Sequence, residues 1–171
     1  ESLPKATSDV FFLPFLYGSN AGLDMTSGFY GMQALHTRAH LLHAVYEGVV
    51  FSHMTHLNRM RERFTEVRAL RVTGGPAHSP VWMQMLADVS GLPVELPQVE
   101  ETGCFGAAIA ALVGTGVYAS FTDAQQTLNY EMHTLTPDMS AHAAYQRKYH
   151  RYQILIEALQ GYHARIKEHS L

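Results

Sequence analysis

The chain predicts an α/β fold with a parallel-type sheet, and three observations carry that prediction. Ala69-Leu70-Arg71-Val72 reads as a short strand that stops at Thr73-Gly74-Gly75 and gives way to a helix opening at Ser79-Pro80. Pro93-Val94-Glu95-Leu96 reads as a second strand, followed by a helix from Thr102 to Val113. Two long stretches, His36 to about Phe64 and Ser140 to about Glu168, carry apolar residues at near-helical spacing. Strands that alternate with helices imply parallel strands under helical cover.

The elements follow in order. Val10-Phe11-Phe12-Leu13 is strand-like, and residues 17–28, rich in glycine and small polar residues, form an irregular loop. The first long helix contains no proline and only Gly48 as a glycine, with Leu41, Leu42, Val45, Val49, Phe51, Met54 and Leu57 as its apolar positions. At 1.5 Å per residue it would run about 40 Å. After the Gly74-Gly75 turn, Ser79 caps the next helix and Pro80 occupies its first position, where a missing N–H costs nothing. Trp82, Met85, Leu86 and Val89 give that helix its buried stripe, and Gly91 ends it. Phe121 to Leu128 adds a short helix. Tyr145, Tyr149, Tyr152, Leu155, Ile156 and Leu159 line the last one. No internal repeat or low-complexity segment is present.

Composition narrows the function classes. A chain of 171 residues with 47% hydrophobic content is long enough for one core. The net charge is -3 and the twelve Lys and Arg residues form no dense run, which argues against a nucleic-acid partner. A single cysteine, Cys104, excludes an intrachain disulfide and a Cys-rich zinc pattern, and favours a reducing, cytoplasmic setting. The apolar runs fall short of the roughly 18 residues a membrane span needs, and no signal pattern opens the chain, so neither a membrane nor an export route is expected. The abrupt start, Glu1-Ser2-Leu3-Pro4 and then a strand, reads as a piece cut from something longer.

The most informative stretch is Leu70 to Gln84. Ligands of open α/β sheets collect beyond the carboxyl ends of strands, and two glycines there let a flat ring or a phosphate approach the backbone. The helix that follows offers unpaired N–H groups and a partial positive charge. The residues alone suggest an anion or nucleotide site, and they equally describe an ordinary tight strand-to-helix turn.

Read with its neighbours, Gly74-Gly75-Pro76-Ala77-His78-Ser79-Pro80-Val81-Trp82-Met83-Gln84, continuing through Ala87-Asp88 to Pro93-Val94, resembles the adenosine motif of the FGGY carbohydrate kinases. Pro76 stands where that family often has a third glycine or an alanine, which stiffens the turn and removes one donor. Upstream, Ser27, Phe29, Gly31, Met32, His40, Leu41, Ala44, Val45, Tyr46 and Glu47 are similar to a second signature of the family, in the right order. Glu101-Thr102-Gly103-Cys104-Phe105-Gly106-Ala107-Ala108 is similar to its Gly-Ala-Ala helix, whose small residues would pack closely on the sheet. The resemblance covers roughly residues 12–118.

The resemblance implies an actin-like, ribonuclease-H-like ATPase domain, incomplete at its N-terminal strands, with residues 1–171 forming the C-terminal nucleotide-binding part of a two-domain sugar kinase. It implies transfer of the γ-phosphoryl group of ATP to a small sugar, a ketopentose or related keto-sugar acid, with Mg2+. Gly74 and Gly75 match the glycines against the nucleotide, and Ser79 the Ser or Asn near the adenosine or its phosphates. Gly31 matches a glycine that helps line the pocket, and Leu35 is a further candidate for the base. Gln84 and Asp88 are expected to fix the helix and neighbouring loops. The family's catalytic aspartate and its Gly-Thr-rich phosphate loop have no counterpart here, so Asp9, Asp24, Asp88, Asp123 and Asp138 receive no catalytic role, and the isolated chain is expected to be inactive. ATP or ADP, the sugar (held mainly by the N-terminal domain) and a second copy of the chain are the expected partners.

Two patterns invite other readings. His36, His40 and His43 share a helix face, and His53 and His56 form a close pair, but no carboxylate-rich or Cys-rich partner accompanies them, so a helix flank or domain contact is favoured over a metal site. The tyrosines of the last helix are read as core in the same way. Against the kinase stand a non-catalytic helical interaction domain and an actin-like ATPase of another branch; the Gly74 to Ser79 turn and the signature from Ser27 to Glu47 argue against them.

Overall fold

The computed structural model describes residues 3, 5–18, 22, 25–128 and 130–169. Ser19, Asn20, Ala21, Leu23 and Asp24 of the glycine-rich loop lie outside these. The described elements follow one another as β1 (Phe11–Leu13), β2 (Gly28–Tyr30), α1 (Arg38–Arg63), β3 (Leu70–Arg71), α2 (Pro80–Ser90), β4 (Val94–Pro97), α3 (Thr102–Gly114), α4 (Phe121–Thr127), β5 (Met132–Leu135) and α5 (Met139–His169). The chain divides into two compact units, one of Glu1–Val67, Asp88–Gly91 and Pro137–Leu171, the other of Arg68–Ala87 and Leu92–Thr136.

In the first unit β1 and β2 pair antiparallel, Phe12 opposite Phe29. The 26 residues of α1 run about 39 Å. His40 helps to start the helix, its Nδ1 accepting the Thr37 N–H at 3.1 Å, and Arg61 and Arg63 in the last turn suit the negative end of the helix dipole. The helix comes so close to β1 that a Cβ on Gly48 would overlap the carbonyl oxygen of Phe12. Glycine is therefore required at its only occurrence in α1. The tyrosine stripe of α5 is core, as expected: Tyr145, Tyr149 and Tyr152 are buried, and Phe51 of α1 lies 5.5 Å and 5.4 Å from the rings of the last two. Burial, then the Glu47 carboxylate, holds the Tyr145 phenol well above the usual tyrosine range.

Two buried charges meet inside this unit. Lys148 Nζ lies 2.5 Å from Glu47 Oε2, both side chains 2% exposed, and a charge taken so far out of water persists only with such a partner. The ammonium also stands 5.5 Å from the centre of the Phe11 ring. Asp88, fully buried, accepts from Lys5 Nζ at 2.7 Å and from the Asp138 N–H at 2.9 Å. It ties two segments to the end of α2, the structural role expected of it.

The second unit holds a three-stranded sheet in the order β3-β4-β5. β3 and β4 are parallel, as predicted, with Leu70 opposite Val94. β5 carries no strand signal of its own and joins β4 antiparallel, Leu135 opposite Val94, so the sheet is mixed. Met83 and Ala87 of α2 cover Val94 and Leu96, with Leu70, Trp82, Leu86 and Leu135 around them. Burying side chains of this size contributes about 1.5–3 kcal/mol each.

The expectation that α3 packs closely on the sheet is corrected. None of its residues is buried, and a Cβ on Gly103 or Gly106 would meet nothing within 4 Å. Small side chains permit a close approach without compelling one, and the contacts of α3 run to α4 and, through Phe105, to the Tyr130 ring at 6.0 Å. No helix among the described residues is long and apolar enough to cross a membrane.

Candidate functional site

β3 delivers the chain to Thr73 and Gly74 at its carboxyl end. Gly74 has φ +86° and ψ -172°, a conformation that only glycine adopts without strain. One turn of 3₁₀ helix, Gly75–His78, stands before α2 in place of the direct passage from turn to helix that the sequence predicts. Its amides explain it: Ala77 N–H donates to Gly74 O at 3.0 Å, and Ser79 N–H to Pro76 O at 3.1 Å. Pro76, which has no N–H to give, fits the start of such a turn. Ser79 caps α2 as expected, its Oγ accepting the Trp82 N–H at 3.4 Å. Gln84 fixes a neighbouring loop, donating from Nε2 to Thr136 O at 2.9 Å.

An open cleft of about 640 Å³ lies at the carboxyl ends of the parallel strands β3 and β4. Thr73, Gly74, Ala77, His78 and Pro80 line one side. Leu96 to Glu100, at and beyond the end of β4, line the other with Thr102 at the start of α3, and His133 and Leu135 of β5 complete it. Within that wall the Gln98 amide is held to the chain, its Nε2 donating to Leu96 O at 3.2 Å. Apolar walls carry a few polar groups, the composition of a site for a small molecule with an aromatic or apolar part. The bare backbone of Gly74 borders this space.

Of the residues singled out in the sequence, Gly74 lines the cleft. Gly75 and Ser79 belong to the same turn but are not among the lining residues, and a Cβ on Gly75 would meet nothing within 4 Å. Gly31 and Leu35 belong to the first unit. Gly31 has a reason of its own to be glycine: its φ is +80°, and a Cβ there would stand 2.5 Å from Asp9 O. Leu35 is exposed. Glu100, in the turn before α3, and His133, placed by the pairing of β5 with β4, line the cleft without any mark in the sequence.

The histidines of α1 and the loop before it behave as helix and loop partners. His36 Nδ1 accepts the Gln33 N–H at 2.9 Å, His40 serves the helix start, and His43 Nδ1 lies 3.3 Å from Glu47 Oε1. Burial, then the neighbouring His56, holds His53 below the usual histidine range. Among the described residues no group of three or more His, Cys, Asp or Glu is placed to hold a metal ion.

Residues 2–115 match the FGGY family of carbohydrate kinases, C-terminal domain. Over 170 residues the chain is 79% identical to the L-xylulose/3-keto-L-gulonate kinase of Escherichia coli (strain K12), covering 99% of this chain and 34% of that protein. It is 57% identical over 160 residues to the probable L-xylulose kinase of Pasteurella multocida (strain Pm70), covering 94% of this chain and 32% of that one. The crystal structure of xylulose kinase from Rhodospirillum rubrum superposes with a TM-score of 0.78 at 26% identity, over 94% of this chain and 32% of that one. The chain thus spans about a third of the length of the curated relatives it matches, and the fold is the actin-like one expected. The chain belongs to the FGGY family of carbohydrate kinases, in that family's C-terminal domain.

Proposed function

We propose that this chain is the ATP-binding part of a sugar kinase that transfers the γ-phosphoryl group of ATP to a hydroxyl of L-xylulose, 3-keto-L-gulonate or a related keto-sugar. One observation carries the reading: an open cleft bordered by the bare backbone of Gly74, at the carboxyl ends of two parallel strands, in a chain of this family. Gly74 and Gly75 would lie against the adenosine, with Ser79 and the first turn of α2 beside it. Gly31 and Leu35 are proposed as nucleotide contacts on the strength of the sequence motif. The sugar would be held mainly by the N-terminal domain, in a cytoplasmic enzyme that forms a homodimer.

Phosphoryl transfer needs an aligned sugar hydroxyl and positive charge around the phosphates. Mg2+ would supply part of that charge when bound, held by phosphate oxygens and one or two carboxylates, and its ligands are not assigned to this chain. The contribution of this chain is to bind and orient the nucleoside end of ATP.

The test is ADP release by the full-length kinase carrying this sequence, with a panel of ketoses, polyols and keto-sugar acids. Turnover of L-xylulose or 3-keto-L-gulonate well above the others is expected. No turnover of any sugar, or strong turnover by these 171 residues alone, would overturn the reading.

A further inference from the structure

His78, Glu100 and His133 are the titratable side chains that line the cleft beside Gly74. Among its lining residues there is no Lys or Arg, and Glu100 is its sole carboxylate. A triphosphate finds no Lys or Arg in such a lining, whereas a neutral nucleoside needs none. Base and ribose therefore belong in the cleft, with the phosphates directed away from Glu100. Ala77, Pro80 and Leu96 offer the base apolar surface. Glu100 is exposed, in the turn between β4 and α3, and among the described residues no hydrogen bond or ion pair engages its carboxylate. Two carboxylate oxygens match two vicinal O–H donors.

We propose that Glu100 reads the ribose of the bound nucleotide, accepting from its 2′- and 3′-hydroxyls, and makes the site selective for ribonucleotides. The inference rests on the reading of the cleft as the ATP site. Glu100 is exposed, so water can replace a missing hydroxyl, and the discrimination is that of one charge-assisted hydrogen bond rather than of a buried acceptor left unsatisfied.

The experiment compares ATP, 2′-deoxy-ATP and ITP as phosphoryl donors for the full-length kinase and for its Glu100→Gln and Glu100→Ala variants, with ATP binding by Thr73→Trp, a substitution in the cleft lining, measured alongside. The unmodified enzyme should prefer ATP to 2′-deoxy-ATP by about tenfold in kcat/KM, and Glu100→Ala should narrow this to about twofold, as expected for the loss of one bond to a charged group. Glu100→Gln, which keeps one acceptor oxygen, should fall between. The preference of ATP over ITP should not move. An unchanged ATP to 2′-deoxy-ATP ratio in Glu100→Ala, or a change in the ITP ratio instead, overturns the ribose assignment. Unchanged ATP binding in Thr73→Trp, whose ring would fill the cleft from an exposed lining position, overturns the reading of the cleft itself, so the two failures are distinguishable.

Discussion

Gly74 and Gly75 are neighbours in sequence with opposite demands, and substituting each separates fold from function. Gly74 sits at φ +86°, ψ -172°. Although a Cβ there would meet nothing within 4 Å, the backbone itself resists a side chain, and Gly74→Ala should cost about 1–3 kcal/mol of stability. Gly75 has no positive φ and also faces open space. Gly75→Val should therefore fold with a stability within about 1 kcal/mol of the unmodified chain, the stiffness of valine's branched side chain being offset by the reduced freedom of the unfolded state. If ATP lies on this backbone, the added isopropyl group occupies its space. Overpacking of that kind costs about 1–3 kcal/mol, which lowers affinity roughly 5- to 150-fold. Urea denaturation of the chain gives the stabilities, and calorimetry on the full-length kinase gives the affinity. A Gly75→Val enzyme that folds normally and binds ATP as tightly as before refutes the site assignment, and a Gly74→Ala chain of undiminished stability refutes the backbone argument.

Packing elsewhere sets other outcomes. Gly48→Ala should lower stability by about 2 kcal/mol in urea denaturation despite its better helical propensity, because the new Cβ meets the Phe12 carbonyl oxygen. Lys148→Met should cost about 3–5 kcal/mol by stranding the buried Glu47 carboxylate, whereas the double change Glu47→Leu with Lys148→Met should cost far less, which a double-mutant cycle reads directly. Ser79→Ala should cost about 1 kcal/mol of stability through the lost cap on α2, again read in urea. At the start of α5 the Ser140 hydroxyl, then the Ala141 and Ser140 amides, hold the Asp138 carboxyl below its ordinary value of 3.8. Its contribution is present above that pH and lost as pH falls through the depressed value, so Asp138→Ala should flatten the acid side of the stability profile.

Local chemistry makes most of the fold legible. The Gly74-Gly75 and Ser79-Pro80 punctuation marks the boundary between β3 and α2, and the proline-free run around Gly48 places α1 to within two residues at its start, His36 against Arg38. What escapes is set by partners distant in sequence. β2 hides at the edge of a glycine-rich stretch and exists because Gly28–Tyr30 pairs with Phe11–Leu13. β5 is four residues long, with His133 and Thr134 exposed, and gains its identity from antiparallel pairing with β4. The 3₁₀ turn depends on two amide bonds that the residue types alone do not announce.

The candidate site divides along the same line. Gly74 is legible because a positive φ at a strand end leaves a local mark, a glycine before a capped helix. Gly31 leaves the same mark, yet the structure gives its glycine a reason within the chain, the Asp9 carbonyl 2.5 Å from where a Cβ would stand. A glycine in a motif thus reports that a side chain is excluded without saying whether ligand or backbone excludes it. Gly75 distinguishes the two cases, since nothing among the described residues excludes a side chain there. If glycine is needed at that position, the need comes from outside the chain, and a bound nucleotide is the proposed source.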